Sequence, residues 1–208
     1  MDIQFYGANC IVIGGKQIRL VIDDNLSDLG VKSVIKDGDV ALFTAAHGEP
    51  AHATKLTLDR PGEYEISGIS IFGIRARAHM DEESKSTATM YKVVFEDINI
   101  LITGHIYPEL SDAQLETIGM IDVMFVPVGN SGYTLDGIGA LKLIKKIEPK
   151  LVVPTHYDDA GLAFPVPQQP LEQALKSLAM EPKETTQRLR LKSGDLADLT
   201  QLVILERS

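Results

Sequence analysis

The chain has no tryptophan, one cysteine and few cationic residues, and it contains no apolar run approaching the roughly 20 residues that span a bilayer. A single cysteine excludes a disulfide framework and fits a reducing compartment. That residue, Cys10, lies in the apolar run Cys10–Ile13, where a thiol serves as a small core side chain. Twenty Lys and Arg face 29 Asp and Glu, giving a net charge of -9. The cations are scattered, so the surface repels phosphate backbones and a nucleic-acid groove is not expected. The start, Met1-Asp2-Ile3-Gln4-Phe5, has neither the basic region nor the apolar segment of a secretory signal. The expectation is a cytoplasmic protein with no membrane and no nucleic-acid partner. The glycine stretches Gly7-Ala8-Asn9-Cys10 and Gly129-Asn130-Ser131-Gly132 are not phosphate-binding fingerprints, and Ser131 has no nucleophile-elbow spacing around it.

What is present can build a sizeable core. With 208 residues and 44% hydrophobic content, one domain over 1–208 is the default. The first half reads as strands: Ile3–Tyr6, Cys10–Ile13, Gln17–Ile22, Val40–Phe43 and Ile66–Ile74, with Gly14-Gly15 as a hairpin turn. Asp23-Asp24-Asn25 reads as a solvated turn closing the third strand, and Val31–Ile35 as one short helical or strand element. Met80–Ser86 is polar and unperiodic, which suggests a mobile loop. Tyr91–Phe95 and Ile98–Thr103 flank Glu96-Asp97 as a further hairpin. Helices then alternate with strands. Ser111 and Gln114 suit a capping box for a helix to Ile118, and Thr134 or Asp136 could cap a helix to Ile147. Strands at Ile121–Val128, Leu151–Val153, Arg188–Leu191 and Leu202–Leu205 and a helix at Leu171–Leu178 complete the reading. This order predicts a layered α/β fold.

The histidines recur in one kind of place. His47 follows the Val40–Phe43 strand, with Glu49 and His52 in the same loop; His79 follows Ile69–Ala78, His105 follows Ile98–Thr103, and His156 follows Leu151–Pro154. Imidazoles and a carboxylate just past strand ends are how a sheet edge presents metal ligands or an acid–base pair. The plainer alternative is that polar loops simply tolerate histidine. Arg75 and Arg77 alternate on a strand beside His79; they are expected in salt bridges on a solvated face, and would favour an anionic substrate only if they lined a pocket.

Together these segments resemble the small, hydrolase-like members of the metallo-β-lactamase superfamily. The likeness runs from Phe5-Tyr6-Gly7 through the acidic turn at Asp23-Asp24, the Thr44 loop, the Gly104 turn, and Leu110–Leu115. It continues through Ile121–Gly129, Tyr133–Asp136, and Pro149–Lys150 to Pro154-Thr155-His156-Tyr157. It implies an αβ/βα four-layer sandwich of two mixed β-sheets with helices outside and a metal site at one sheet edge. The family's Thr-His-x-His-x-Asp-His motif here reads Thr44-Ala45-Ala46-His47-Gly48-Glu49-Pro50, and its bridging Asp after a Gly is His105 after Gly104.

A two-metal site needs a bridging carboxylate and about three ligands per ion. These changes remove most of that set. The resemblance leaves His47, His79, His105 and His156 as ligands for one zinc ion, with Glu49 as the candidate base. Two functions follow as expectations: a metal-dependent hydrolase of a small-molecule substrate with a partly lost two-metal site, or a catalytically silent binding or assembly module on the same fold. The sequence allows a homo-oligomer in either case.

Overall fold

The computed structural model describes residues 1–15 and 18–208. In chain order the strands and helices are β1 (Asp2–Gly7), β2 (Cys10–Gly14), β3 (Arg19–Ile22), β4 (Val40–Leu42), β5 (Leu56–Leu58), β6 (Gly62–Ile66), β7 (Ile69–Ala76), β8 (Ala88–Phe95), β9 (Ile98–Ile102), α1 (Asp112–Ile118), β10 (Val123–Pro127), α2 (Gly137–Ile147), β11 (Leu151–Thr155), α3 (Leu171–Leu178), β12 (Pro182–Thr186), β13 (Leu189–Arg190) and β14 (Gln201–Leu205). Two mixed sheets result: six strands in the order β13-β1-β2-β3-β4-β5, and eight in the order β12-β14-β11-β10-β9-β8-β7-β6.

Alternation along the strands explains why the sheets stack. Ile3 and Phe5 on β1, Ile11 and Ile13 on β2, Leu20 and Ile22 on β3, and Val40 and Leu42 on β4 point one way and meet Ile69, Ile71, Tyr91, Val93, Ile100, Phe125 and Val153 of the larger sheet. The opposite face of the larger sheet carries Met90, Leu101, Met124, Val126 and Val152, which pack against Ile118 of α1 and Leu143, Ile144 and Ile147 of α2. On α2 the buried residues fall at 140, 143, 144 and 147, the one-sided stripe that a covering helix needs. Both helices thus lie on the outside of the C-terminal sheet, as expected.

The outer face of the smaller sheet is covered differently. Cys10, Val12, Val21, Ala41 and Phe43 pack under Leu26, Ile35 and Leu162. Their cover is a 3-10 turn at Leu26–Leu29 and irregular chain, and Val31–Ile35 forms neither helix nor strand. Asp24 takes over the work of secondary structure there: its Oδ2 accepts from Ser33 Oγ and from the backbone N–H groups of Val34 and Ile35. The fourth layer is therefore thin. Cys10 is fully buried as core, and burial drives its thiol pKa upward.

Local chemistry set most boundaries. Ser111 Oγ accepts from Gln114 N while the Gln114 side chain accepts from Ser111 N, the expected capping box, and Gly119 closes α1. Asp136 caps α2 through Gly139 N. The single strand expected over Ile66–Ile74 is instead a hairpin, β6–β7, because Ser67 and Gly68 both take positive φ and turn the chain. Glu96 and Asp97 turn β8 into β9 in the same way. Part of the third expected strand, Gln17, lies outside the described residues. The Met80–Ser86 loop is tethered: Asp81 Oδ2 accepts from Ala78 N and Thr87 N, and Asp81 Oδ1 from Thr87 Oγ1. Among the described residues no helix is long and apolar enough to cross a membrane.

Candidate functional site

Parallel strands bring the site together. β3 and β4 run parallel in the smaller sheet, and β9, β10 and β11 run parallel in the larger one. The chain leaving the carboxyl ends of parallel strands collects at one edge, where α/β sheets form their crevices. A cavity of about 170 Å³ lies there, lined by Asn9, Asp23, Thr44, His105, Tyr133 and His156, with Phe164 among the other walls. Asn9 comes from the β1–β2 turn, Asp23 follows β3, Thr44 follows β4, His105 follows β9, Tyr133 follows β10 and His156 follows β11.

The backbone at this edge is held in unusual conformations. Ala8, Asp23 and His156 all have φ near +50°: 49°, 49° and 54°. Left-handed conformations of non-glycine residues are uncommon and concentrate at functional sites. Here they are fixed by neighbours: His156 N donates to Ala8 O at 2.7 Å, and Asp23 N to Leu42 O at 2.8 Å. Gly129 allows the first of these turns, since a Cβ there would overlap the His156 carbonyl oxygen. Gly104, at φ 62°, lets the chain before His105 press against the Thr44 side chain.

The polar side chains form one network. Thr155 Oγ1 donates to Asn9 Oδ1 at 2.8 Å, which turns Asn9 Nδ2 toward His105 Nε2 at 3.0 Å. His105 Nε2 is then the acceptor, and the ring proton sits on Nδ1. His156 meets His105 edge-on, ring centroids 4.4 Å apart. Its Nδ1 lies 3.2 Å from Gln168 Oε1 and its Nε2 3.4 Å from the Tyr133 hydroxyl. Asp23 holds Thr44 at two points, accepting from its N at 2.7 Å and its Oγ1 at 2.6 Å.

Burial sets the charge states. It pushes the Asp23 carboxyl up to about 6, against the lowering effect of the Thr44 hydrogen bonds. Burial lowers His156 to about 4, and burial together with His156 and His79 holds His105 well below the ordinary histidine range. Both rings are neutral at pH 7.

The structure divides the sequence-derived candidates. His105 and His156 share the cavity. His79 backs onto it: its N donates to His105 O at 2.8 Å and its ring lies beside Tyr107. His47 and Glu49 line a separate cleft of about 360 Å³ with Asp59 and Tyr64. The His47 ring stacks on Phe43 with centroids 3.7 Å apart, and its Nε2 lies 3.8 Å from Asp59. Glu49 is exposed there, and His52 faces Asp37 at 3.5 Å. Neither Arg75 nor Arg77 lines the central cavity. Arg75 reaches Ser86 O, and Arg77 donates to Asp81 O and covers the Tyr107 ring, so neither forms the expected salt bridge. Sequence reading did not single out Asn9, Tyr133, Gln168 or Phe164, and it took Asp23 as a solvated turn. Two signals were available: the place of Asp23 directly after a buried strand, and the part that the Asp23-Asp24 turn plays in the likeness to the superfamily.

The match to known proteins identifies the fold's lineage. Residues 2–156 match the family model described as the beta-lactamase superfamily domain, about three quarters of the chain. The chain belongs to the metallo-β-lactamase superfamily. Solved structures agree. A metallo-β-lactamase superfamily protein of Thermotoga maritima, assigned as a Zn-dependent hydrolase, superposes with a TM-score of 0.76 at 23% identity, covering 99% of both chains. A protein of Parabacteroides distasonis assigned as a metal-dependent hydrolase gives 0.68 at 17%, over 99% of this chain and 93% of the other. The metallo-hydrolase Igni18 of Ignicoccus hospitalis gives 0.62 at 17%, over 100% and 95%. At these identities the likeness speaks for the fold alone. No curated sequence matches the chain significantly.

The superfamily implies a metal, and the donors here can be tested against one. Among the described residues no three His, Cys, Asp or Glu side chains are grouped so as to hold an ion. Both nitrogens of His156 and the Nε2 of His105 already face protein partners, and His47 and Glu49 sit in another cleft. The residues present do not fit the superfamily's two-metal centre.

Proposed function

We propose that this chain is a catalytically silent member of the superfamily, a cytoplasmic single-domain module that binds a small molecule in the cavity between Asn9, Asp23, His105 and His156. The observation that carries this reading is the Thr155–Asn9–His105 chain of hydrogen bonds. It places an amide donor where a metal ion would have to meet an imidazole lone pair. Membrane and nucleic-acid partners form no part of the reading, in keeping with the net charge of -9.

One observation favours a second reading, in which a single zinc ion is held by His47, His79, His105 and His156 and Glu49 acts as base on an ester, amide or phosphoester. His79 Nδ1 and His105 Nδ1 are both shut off from solvent and have no hydrogen-bond partner. Two imidazole nitrogens are fewer than the three protein ligands of catalytic zinc, His105 Nδ1 would first have to lose its proton, and the other two rings would have to move. Elemental analysis of chelator-free protein separates the readings. The silent module contains well under one zinc per chain and does not turn over a panel of esters, amides and phosphodiesters. One zinc per chain with metal-dependent turnover overturns it.

A further inference from the structure

The composition of the cavity wall goes further than a bare binding site; the step rests on the metal-free reading above. Among the described residues the wall carries two carboxylates, Asp23 inside and Asp28 at the exposed rim, and no lysine or arginine. A carboxylate or phosphate ligand would therefore meet only like charge in a low-dielectric site, which is strongly unfavourable. The remaining wall is aromatic. Tyr133 and Phe164 both neighbour His156, with ring centroids 5.6 and 5.1 Å from it, and Tyr133 lies 5.4 Å from His105. The volume, about 170 Å³, corresponds to roughly six waters.

We infer that the cavity binds a small organic ammonium ion, its charge compensated by Asp23 and Asp28 and its alkyl surface held against the rings of Tyr133 and Phe164. Aromatic faces attract a desolvated ammonium through the ring quadrupole, and a nearby carboxylate adds direct charge attraction. Among the described residues the hydrogen-bond partners of the buried Asp23 carboxylate are the two donors of Thr44, and neither is a cation. An ammonium ligand supplies the missing countercharge.

The test uses three probes of similar shape on the full chain: tetramethylammonium, neutral tert-butanol and anionic trimethylacetate. Binding is followed by protein NMR at pH 7.5, with the metal content of the same sample measured. Tetramethylammonium is expected to shift the resonances of Tyr133, His156 and Phe164 with a Kd of about 1 mM, and to bind about tenfold tighter than tert-butanol. Trimethylacetate is expected not to bind. Asp23→Asn, which keeps an acceptor for Thr44 N, should weaken tetramethylammonium about tenfold without affecting tert-butanol. Asp28→Asn, at an exposed position that cannot unfold the protein, should weaken it about twofold. Equal affinity for the cation and the neutral probe in metal-free protein, preference for the anion, or no binding at all overturns the ammonium assignment alone. Stoichiometric zinc in the sample overturns the metal-free reading beneath it as well.

Discussion

Asn9 and His105, 96 positions apart in the chain, meet through Nδ2 and Nε2 at 3.0 Å, and the amide is itself fixed by the hydroxyl of Thr155. That contact joins the two sheets at the site, because Asn9 belongs to the β1–β2 turn and His105 to the end of β9. It also settles which nitrogen of His105 carries the proton. Asn9→Ala leaves the Thr155 hydroxyl and His105 Nε2 without partners in a buried place. The expected loss in urea unfolding is about 1–3 kcal/mol. The same variant should free the His105 tautomer, visible as a change in its ring ¹⁵N shifts. Unchanged shifts would show that Asn9 does not orient the ring.

Acid should reveal opposing groups in the cavity. The Asp23 carboxyl is raised from 3.8 to about 6. Its stabilising effect is thus complete below pH 3.8 and lost as pH rises through 6. His156 is lowered from 6.5 to about 4, so its contribution is complete above pH 6.5 and lost as pH falls through 4. Each shift is worth about 3 kcal/mol at most, and over the shared window they nearly cancel. His105, also lowered, has no counterpart. The wild type should therefore lose stability moderately on acidification from pH 6.5. Asp23→Asn should be more stable than wild type at pH 7.5 and should lose that advantage toward pH 4. Thermal melts of both proteins across this range provide the comparison, and an advantage for Asp23→Asn that grows with acidity would contradict it.

Two glycines hold the strained turns in place. Gly104 has φ 62°, and a Cβ there would overlap the Thr44 hydroxyl; a Cβ on Gly129 would overlap the His156 carbonyl. Gly104→Ala and Gly129→Ala should each cost about 2–4 kcal/mol, combining overlap at both sites with a left-handed backbone at Gly104. Gly132 supplies the control: its φ of 79° is also positive, but nothing lies within 4 Å of a Cβ there. Gly132→Ala should cost about 1 kcal/mol. Chemical denaturation of the three variants separates overlap from backbone strain.

The architecture could be read from the chain because its signals are local. The Ser111–Gln114 box, Asp136, and the alternation along β1 to β4 each act within a few residues. The 3-10 turn that covers the smaller sheet could not be read this way. Nor could the irregular chain after it, whose order comes from Asp24 reaching Ser33, Val34 and Ile35, contacts that leave no periodicity. The four histidines do follow strand ends, but position after a strand does not fix where a ring points. His47 turns onto Phe43 and toward Asp59, which removes it from the cavity that holds His105 and His156. Asp23 escaped notice for the opposite reason. Its polar triplet Asp23-Asp24-Asn25 looks solvated, yet Asp23 takes a left-handed φ and is only 5% exposed.

Ala45 stands where the superfamily motif has a histidine, and it lines the same cavity as Asp23, His105 and His156. Pro50 stands where the motif has another, but it lines the cleft of His47 and Glu49. These positions predict opposite outcomes. Ala45→His adds a third imidazole to the pair already present, which meets the minimum protein ligand set for zinc and brings Asp23 as a nearby carboxylate. Zinc should then bind at about one ion per chain, with His105 giving up its contact to Asn9 and His156 its contacts to Gln168 and Tyr133. Pro50→His should leave zinc content at the wild-type level, because its new ring faces the wrong cleft. The measurement is a zinc titration against a competing chelator for wild type and both variants, repeated with Ala45→His in a His156→Gln background. Uptake by Ala45→His that vanishes in the double variant places the ion between residues 45 and 156. Equal uptake by Pro50→His would mean that the loop after β4 moves freely enough to bring either side chain to the cavity.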